Sequence, residues 1–294
     1  MISILIPIYN FNTVPLIKEL HNQCKGLGIE FEIICIDDCS TVYKHENHVI
    51  AFLEKCSFHV LHENSGRSKI RNLLAAKASY KWLLFLDCDT FPKDKLFICA
   101  YVDQIKLSQS AAIYGGLQYR NIQPENDQML RWVYGKKREE ITVSHRLGQP
   151  YKTSLVSNFL IQKSVFATVL FNENNSSYGY EDTLFMQSLE WKGITIDQIE
   201  NSVFHLNIET STLFLAKTRE AMRTLLSLQQ TNTRIETKIT TTFKVLNNAK
   251  LVALVAKMFS RFAPVLENNL LSKKPSVFVF DLYKIGYFCY LNKK

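Results

Sequence analysis

Apolar positions in the first third of the chain come as short, nearly unbroken runs, each closed by polar residues and followed by apolar residues at helical spacing. Ile2-Ser3-Ile4-Leu5-Ile6-Pro7-Ile8 has the pattern of a strand buried on both faces. From about Val14 onward, Leu16, Ile17 and Leu20 fall on one side of a helix. Phe31 to Ile36 predicts a second strand, ended by Asp37-Asp38-Cys39-Ser40. A helix over 49–55 then leads into a short strand over 58–61, and the polar turn Glu63-Asn64-Ser65-Gly66 precedes a helix over 67–78. Trp82-Leu83-Leu84-Phe85-Leu86 predicts the fourth strand, ended by Asp87-Cys88-Asp89. Strands and helices alternating in this order specify an α/β fold, a mostly parallel sheet flanked by helices.

In such sheets ligands bind beyond the carboxyl ends of the strands. Three polar clusters occupy those ends here: Tyr9-Asn10, Asp37-Asp38 and Asp87-x-Asp89. One acidic pair alone reads as an ordinary loop or helix cap, whereas three clusters along one sheet edge point to a site. Beyond Phe97 the pattern loosens. Ile113-Tyr114-Gly115-Gly116 predicts a strand and turn, 123–149 a polar, basic loop with a helix, Ser157 to Ile161 a strand and Glu181 to Leu189 a helix.

Composition fixes the class. The chain has 294 residues, 47% apolar and 21% charged, enough to bury a full core. Seven cysteines without a Cys-x-x-Cys pair predict reduced, mostly buried thiols, not a disulfide framework or a zinc site. No apolar run is long enough to span a bilayer, and Ile2 to Ile8 lacks a basic leader, so a cytoplasmic chain is expected.

The net charge of +8 is localised. Arg234 to Lys294 hold eleven Lys/Arg against three Asp/Glu, and the rest of the chain is balanced. This predicts two parts, a domain over 1–230 and a basic amphipathic helical extension over 231–294. Lys250, Lys257 and Arg261 recur at i, i+7 and i+11 among apolar residues. Such a pattern through 240–294 suits an anionic membrane surface, giving a peripheral protein at the cytoplasmic face. The other readings are a helical cap packed on the domain or a homodimer contact. No recognisable nucleic-acid module accompanies the charge, so no nucleic-acid partner is expected.

Ser3-Ile4-Leu5-Ile6-Pro7-Ile8-Tyr9-Asn10, Ile36-Asp37-Asp38-Cys39-Ser40, Asn64-Ser65-Gly66 with Arg71-Asn72, Asp87-Cys88-Asp89, Ser157-Asn158 and Gly179-Tyr180-Glu181-Asp182 form an ordered set. That set resembles family 2 glycosyltransferases, whose fold is called GT-A. The resemblance implies that 1–230 is a catalytic domain. It would move a sugar with inversion from a nucleotide-diphosphate sugar, a UDP-sugar first, to a hydroxyl of a glycan or lipid-linked glycan. By the same resemblance Pro7, Tyr9 and Asn10 line the nucleoside pocket, with Tyr9 against the base. Asp38, with Asp37, accepts from the base N3–H, and Asn64, Arg67 and Arg71 lie beside the nucleotide. Asp89 coordinates Mn2+ or Mg2+, Asp87 meets the ribose, the sugar or the metal, and His205 stands where relatives carry a His near the metal. Asp182 is the general base and Glu181 orients the acceptor.

The chemistry asks for these residue types. A departing nucleoside diphosphate gains negative charge, which a hard cation on carboxylates neutralises. An acceptor hydroxyl attacking the opposite face needs a carboxylate to take its proton. The bland alternatives are that Glu181 and Asp182 merely favour a helix N-terminus and that His205 is a packed core histidine. Three rival functions stand beside this one. A sugar-nucleotide nucleotidyltransferase or a nicotinamide enzyme would carry a Gly-rich loop after the first strand, where Pro7-Ile8-Tyr9-Asn10 stands instead. A catalytically inactive family member acting as a membrane-associated scaffold would not need Asp87, Asp89, Glu181 and Asp182.

Overall fold

The computed structural model describes residues 1–174 and 178–293. They fall into two compact units. The first takes in Met1–Tyr119, the described part of Glu139–Ser176, and Glu181–Asn207; the second takes in Arg120–Arg138, the described part of Ser177–Tyr180, and Ile208 onward.

The strands of the first unit are β1 (Ile2–Ile8), β2 (Phe31–Asp37), β3 (Cys56–Val60), β4 (Trp82–Leu86), β5 (Thr90–Pro92), β6 (Ala112–Tyr114), β7 (Leu117–Gln118), β8 (Asn158–Gln162), β9 (Ile196–Gln198) and β10 (Val203–His205). Seven of them form one sheet in the order β3-β2-β1-β4-β8-β6-β9. Only β8 runs antiparallel to its neighbours, so the sheet is mostly parallel, as the alternating pattern predicts. The helices α1 (Val14–Leu27), α2 (Lys44–His48), α3 (Arg67–Lys77) and α4 (Phe97–Leu107) link the early strands. Parallel pairing faces Ile8 with Asp37 and Leu5 with Phe85, which brings the ends of β1, β2 and β4 to one edge. The core lies against this sheet: Leu5, Ile34, Phe85 and Phe159 meet Ile70 and Leu74 of α3, with Phe171 stacked on Phe185 at 4.3 Å.

Two local expectations shift. The helix expected over 49–55 begins earlier, as α2, and continues only as a tight turn over Val49–Phe52. The reason is Asn47, fully buried, whose side chain accepts from Thr13 N and donates to the Phe11 carbonyl. It pins the helix from its polar start. The strand expected over 58–61 is β3, extended back to Cys56 by its pairing with Ile33. The polar stretch after 123 holds three helices, α5 (Met129–Arg138), α6 (Val143–Leu147) and α7 (Pro150–Thr153), followed by α8 (Lys163–Val169) and α9 (Glu181–Trp191). A second sheet, β5-β10-β7, had no periodic signal because its strands are two or three residues long.

The second unit is helical. Beside α5 it contains α10 (Ser211–Gln230), α11 (Lys238–Asn248), α12 (Val252–Leu270) and α13 (Val277–Leu291). Thr210 caps α10 by accepting from Leu213 N, and Thr237 and Thr240 close a capping box on α11. Phe214, Tyr134 and Phe280 pack ring to ring at 5.4 Å, and Arg219 ties Glu267 (2.5 Å) to the Tyr283 hydroxyl (2.7 Å). No helix among the described residues is long and apolar enough to cross a membrane.

Candidate active site

At the ends of β1 and β2 the backbone is built largely by side chains. Asn10 adopts a left-handed conformation (φ 51°), its amide donates to Ser40 Oγ at 2.8 Å, and its Oδ1 accepts from Thr41 N at 2.7 Å. Asp38 accepts from Ser65 N (2.6 Å), Ser65 Oγ (2.8 Å) and Gly66 N (3.1 Å), and Asn64 donates to the Asp38 carbonyl. Both oxygens of Asp38 are therefore committed to the turn that starts α3. Gly66, at φ 79° and ψ 164°, caps that helix in a conformation open only to glycine. Asp37 is different. Its Oδ1 accepts from Ser40 N at 2.6 Å, while its Oδ2 is buried without a hydrogen-bond partner. Pro7 is half-buried beside them and the Tyr9 ring is half exposed.

The end of β4 is organised by charge. Thr90 amide and hydroxyl both donate to the Asp87 carbonyl, at 3.1 and 2.8 Å, and the Asp87 amide reaches the Ser157 carbonyl at 3.4 Å. This fixes the Asp87-Cys88-Asp89 turn. Arg71, on the inner face of α3, is buried and carries the centre: Nη2 donates to Asp87 Oδ1 at 2.9 Å and Nη1 to Asp182 Oδ1 at 3.3 Å. Its guanidinium also lies 5.4 Å from the centre of the Phe171 ring. One turn earlier on α3, Arg67 reaches Glu181 Oε1 at 3.0 Å. One helix thus presents two cations to three acids, Asp87 at the end of β4 and Glu181 and Asp182 in the first turn of α9.

These acids do not titrate alike. Burial raises Asp87 and Glu181, but the Arg71 and Arg67 charges outweigh it and hold both below the usual carboxylate range. In Asp182 burial dominates, Arg71 offsets it only in part, and the Glu181 and Asp87 charges add to it, so its pKa is raised to about 6. The Val156 amide donates to Asp182 Oδ2 at 3.2 Å and sets the carboxylate's direction. A quarter of the Asp182 side chain stays open (26%). An accessible carboxylate that is ionised at neutral pH yet basic for its type suits proton abstraction.

His205 arrives through the small sheet. Antiparallel pairing sets His205 opposite Thr90, and the Asp89 carbonyl accepts from Leu206 N at 2.8 Å. Its Nε2 stands 3.6 Å from Asp89 Oδ2, while its Nδ1 is buried without a hydrogen-bond partner. The Tyr119 ring stacks on His205 at 5.4 Å, and the Tyr119 hydroxyl donates to Glu139. The predicted residues thus gather in two groups: Pro7, Tyr9, Asn10, Asp37, Asp38 and Asn64 around the β1 and β2 ends, and Arg67, Arg71, Asp87, Asp89, Glu181, Asp182 and His205 around the end of β4. Sequence reasoning missed Thr90, Tyr119, Glu139 and the Val156 amide. Thr90 follows the acidic turn directly and bonds back to Asp87, whereas Tyr119, Glu139 and Val156 come in through contacts between segments far apart in sequence.

The family model of glycosyl transferase family 2 matches residues 3–170, more than half of the chain. The chain belongs to this family. The matched segment holds the residues from Pro7 to Asp89; Glu181, Asp182 and His205 lie beyond it. No curated protein matches the sequence. Among solved structures, the fold is similar to a mannosyltransferase from Pyrobaculum calidifontis in complex with GDP-Man and Mn2+ (TM-score 0.53, 12% identity, covering 78% of this chain and 64% of that one). It is similar also to glucosyl-3-phosphoglycerate synthase from Mycobacterium tuberculosis in complex with Mn2+, UDP and glucosyl-3-phosphoglycerate (TM-score 0.51, 17% identity, 77% and 79%). S. aureus TarS 1-349 matches with a TM-score of 0.49 and 20% identity over 76% of this chain and 65% of that one. The chain spans less than two thirds of the mannosyltransferase and of TarS 1-349. At these identities the likeness is one of GT-A fold.

The residues of this family member fit the divalent cation that the resemblance implies. The 3.6 Å between Asp89 and His205 is too long for a hydrogen bond and short enough for two ligands of one ion. Among the described residues no three His, Cys, Asp or Glu side chains gather to hold a metal. An ion held by Asp89 and His205 would take its other ligands from phosphate oxygens and water. Cys88, between the two acids, offers no thiolate, because burial and the Asp89 charge push its thiol well up.

Proposed function

We propose that the protein is an inverting glycosyltransferase that moves a sugar from a nucleoside diphosphate, with UDP the first choice, to a hydroxyl of a glycan or lipid-linked glycan. What supports this most is the Arg71 fork, which holds Asp87 and Asp182 together while leaving Asp182 with a pKa of about 6. In this reading the Tyr9 ring stacks on the base, and Asp38, with Asp37 beside it, meets the base's imide N–H. Arg67, with 54% of its side chain exposed, reaches towards the diphosphate. Asp89 and His205, with Asp87 adjoining, would hold Mn2+ or Mg2+, which offsets the charge that develops on the leaving diphosphate.

Asp182 takes the proton of the acceptor hydroxyl as its oxygen forms the new bond to the anomeric carbon and the diphosphate departs from the opposite face. Glu181, at the first turn of the same helix and tied to Arg67, orients the acceptor. Arg71 is buried and occupied by two carboxylates, so it positions both without touching substrate.

The test is calorimetric titration of UDP and GDP with and without Mn2+, beside an Asp89→Ala variant, followed by assay of sugar release from UDP-sugars. Mn2+-dependent binding of one nucleotide, weakened at least tenfold in the variant, is the expected result. A folded protein that binds neither nucleotide would sink the enzyme reading in favour of a scaffold.

A further inference from the structure

On α12 the side that packs and the side that shows are both apolar. Ala256, Phe259 and Leu270 are buried, and Phe259 enters α13 between the rings of Tyr283, Tyr287 and Tyr290, 5.2 to 6.2 Å away. Gly286 makes this approach fit, since a Cβ there would stand 2.6 Å from the Phe259 ring. About 130° round the helix, at 3.6 residues per turn, runs a second stripe with no such partner. Leu254 is 53% exposed, Met258 52%, Phe262 50% and Val265 64%. Their spacing of four, four and three residues keeps them on one line.

The stripe has a charged border of one sign. Lys257 and Arg261 lie along the flank away from the buried side, and Lys250 stands in the turn just before the helix; all three are exposed and without an acidic partner among the described residues. The acids of these helices are engaged elsewhere. Glu267, the one acid of α12, binds Arg219 and the Tyr283 hydroxyl, and Asp281 of α13 binds Arg138 and Lys284. Neither screens the flank. An exposed apolar line of this length marks an interaction surface, and unneutralised cations beside it ask for an anionic partner.

We infer that α12 lies flat in the headgroup layer of an anionic phospholipid surface, with Leu254, Met258, Phe262 and Val265 dipping below the phosphates and Lys250, Lys257 and Arg261 among them. Charge complementarity selects this occupant: a second copy seated on the same stripe would bring three cations up to three cations. No described helix can cross the bilayer, so the attachment is in-plane and reversible. The inference stands on the helical unit alone and does not depend on the chemistry assigned to the first unit.

Co-sedimentation of the full chain with vesicles of phosphatidylcholine, alone or mixed with phosphatidylglycerol, tests it. The chain should pellet with the anionic vesicles and hardly with the neutral ones. Replacing Lys250, Lys257 and Arg261 by Gln should lower anionic-vesicle affinity about a hundredfold, at roughly fivefold per cation. The triple change Leu254→Ser, Met258→Ser, Phe262→Ser should lower it more than tenfold, with the far-ultraviolet circular-dichroism spectrum of the folded chain retained because only about half of each side chain is covered. A monodisperse chain left in the supernatant, or serine and glutamine variants that bind as the parent does, would overturn the proposal. So would a dimer, seen by light scattering, that the serine variant dissolves while no vesicle binding occurs.

Discussion

Asp37-Asp38 ends β2 and Asp87-x-Asp89 ends β4, with β1 between the two strands, yet their carboxylates keep different company. Around β2 the partners are neutral: the amides of Ser40, Ser65 and Gly66 and the Ser65 hydroxyl. Around β4 they are mostly charged, Arg71, Arg67, Glu181 and Asp182, with the His205 imidazole beside Asp89. An acid that accepts from backbone amides shapes a loop. An acid that shares a buried cation with another acid acquires an unusual proton affinity. Two pairs of similar sequence, both at strand ends on one sheet edge, thereby come to different ends: one builds a loop, and the other joins an ion-pair cluster with Arg71 and Asp182.

The largest effect should come from Asp182→Asn. If the charged cluster carries the chemistry, kcat falls about 10² to 10⁴-fold, the usual worth of a positioned base, while donor affinity by calorimetry holds. The parent's kcat/KM should rise with pH through about 6 and level off above it, as Asp182 gives up its proton. The same substitution should stabilise the fold. The folded pKa of about 6 lies above an unfolded value of about 4, so Asp182 costs folding free energy progressively as pH rises from about 4 to about 6, and the cost is level above that. That cost reaches about 2 to 3 kcal/mol at pH 8 and shrinks towards pH 4. A higher Tm for the variant at pH 8, and little difference at pH 4, would be the signature; a destabilised variant at pH 8 would contradict it.

Next in size is Arg71→Met, which keeps the packing length and removes the shared cation. Asp87 and Asp182 would then face each other without the cation they share, and stability at pH 8 should drop by about 3 to 5 kcal/mol. Without Arg71 both carboxylates would titrate above their unfolded values, so the loss should ease as pH falls and they take up protons. Urea melts at pH 8 and pH 5 measure this directly. A loss equal at both values would mean that packing on Phe171, not charge, is what Arg71 supplies.

The sheet and its acidic edge were legible because buried parallel strands leave continuous apolar runs, and the polar residues that stop them stand out. Phe31 to Ile36 followed by Asp37-Asp38 is such a stop. Whether an acid then turns inward or outward was not legible: Asp38 is set by the Ser65–Gly66 turn, and nothing in its own neighbourhood tells it from Asp37. His205 could be placed only by resemblance, since β10 has three residues and gets its position from pairing with Thr90. The short helices after 123 escaped for a related reason. A buried Arg146 over the Tyr114 ring holds α6 to the sheet, a contact that no periodicity announces.

The smallest effect, and the sharpest probe of the neutral cluster, belongs to Asp38→Ala. It removes the acceptor of two backbone amides and one hydroxyl, and leaves the amides of Ser65 and Gly66 unsatisfied at the start of α3. Leaving such donors without partners costs about 1 to 3 kcal/mol, here borne by the turn and the first residues of the helix. Hydrogen exchange at the Ser65 and Gly66 amides should quicken before global unfolding. Since Arg67 and Arg71 ride on the same helix, donor KM should rise several-fold while kcat changes less. A kcat loss as deep as that of Asp182→Asn, with the turn still protected from exchange, would put Asp38 among the groups that act on the substrate and remove the distinction between the two clusters.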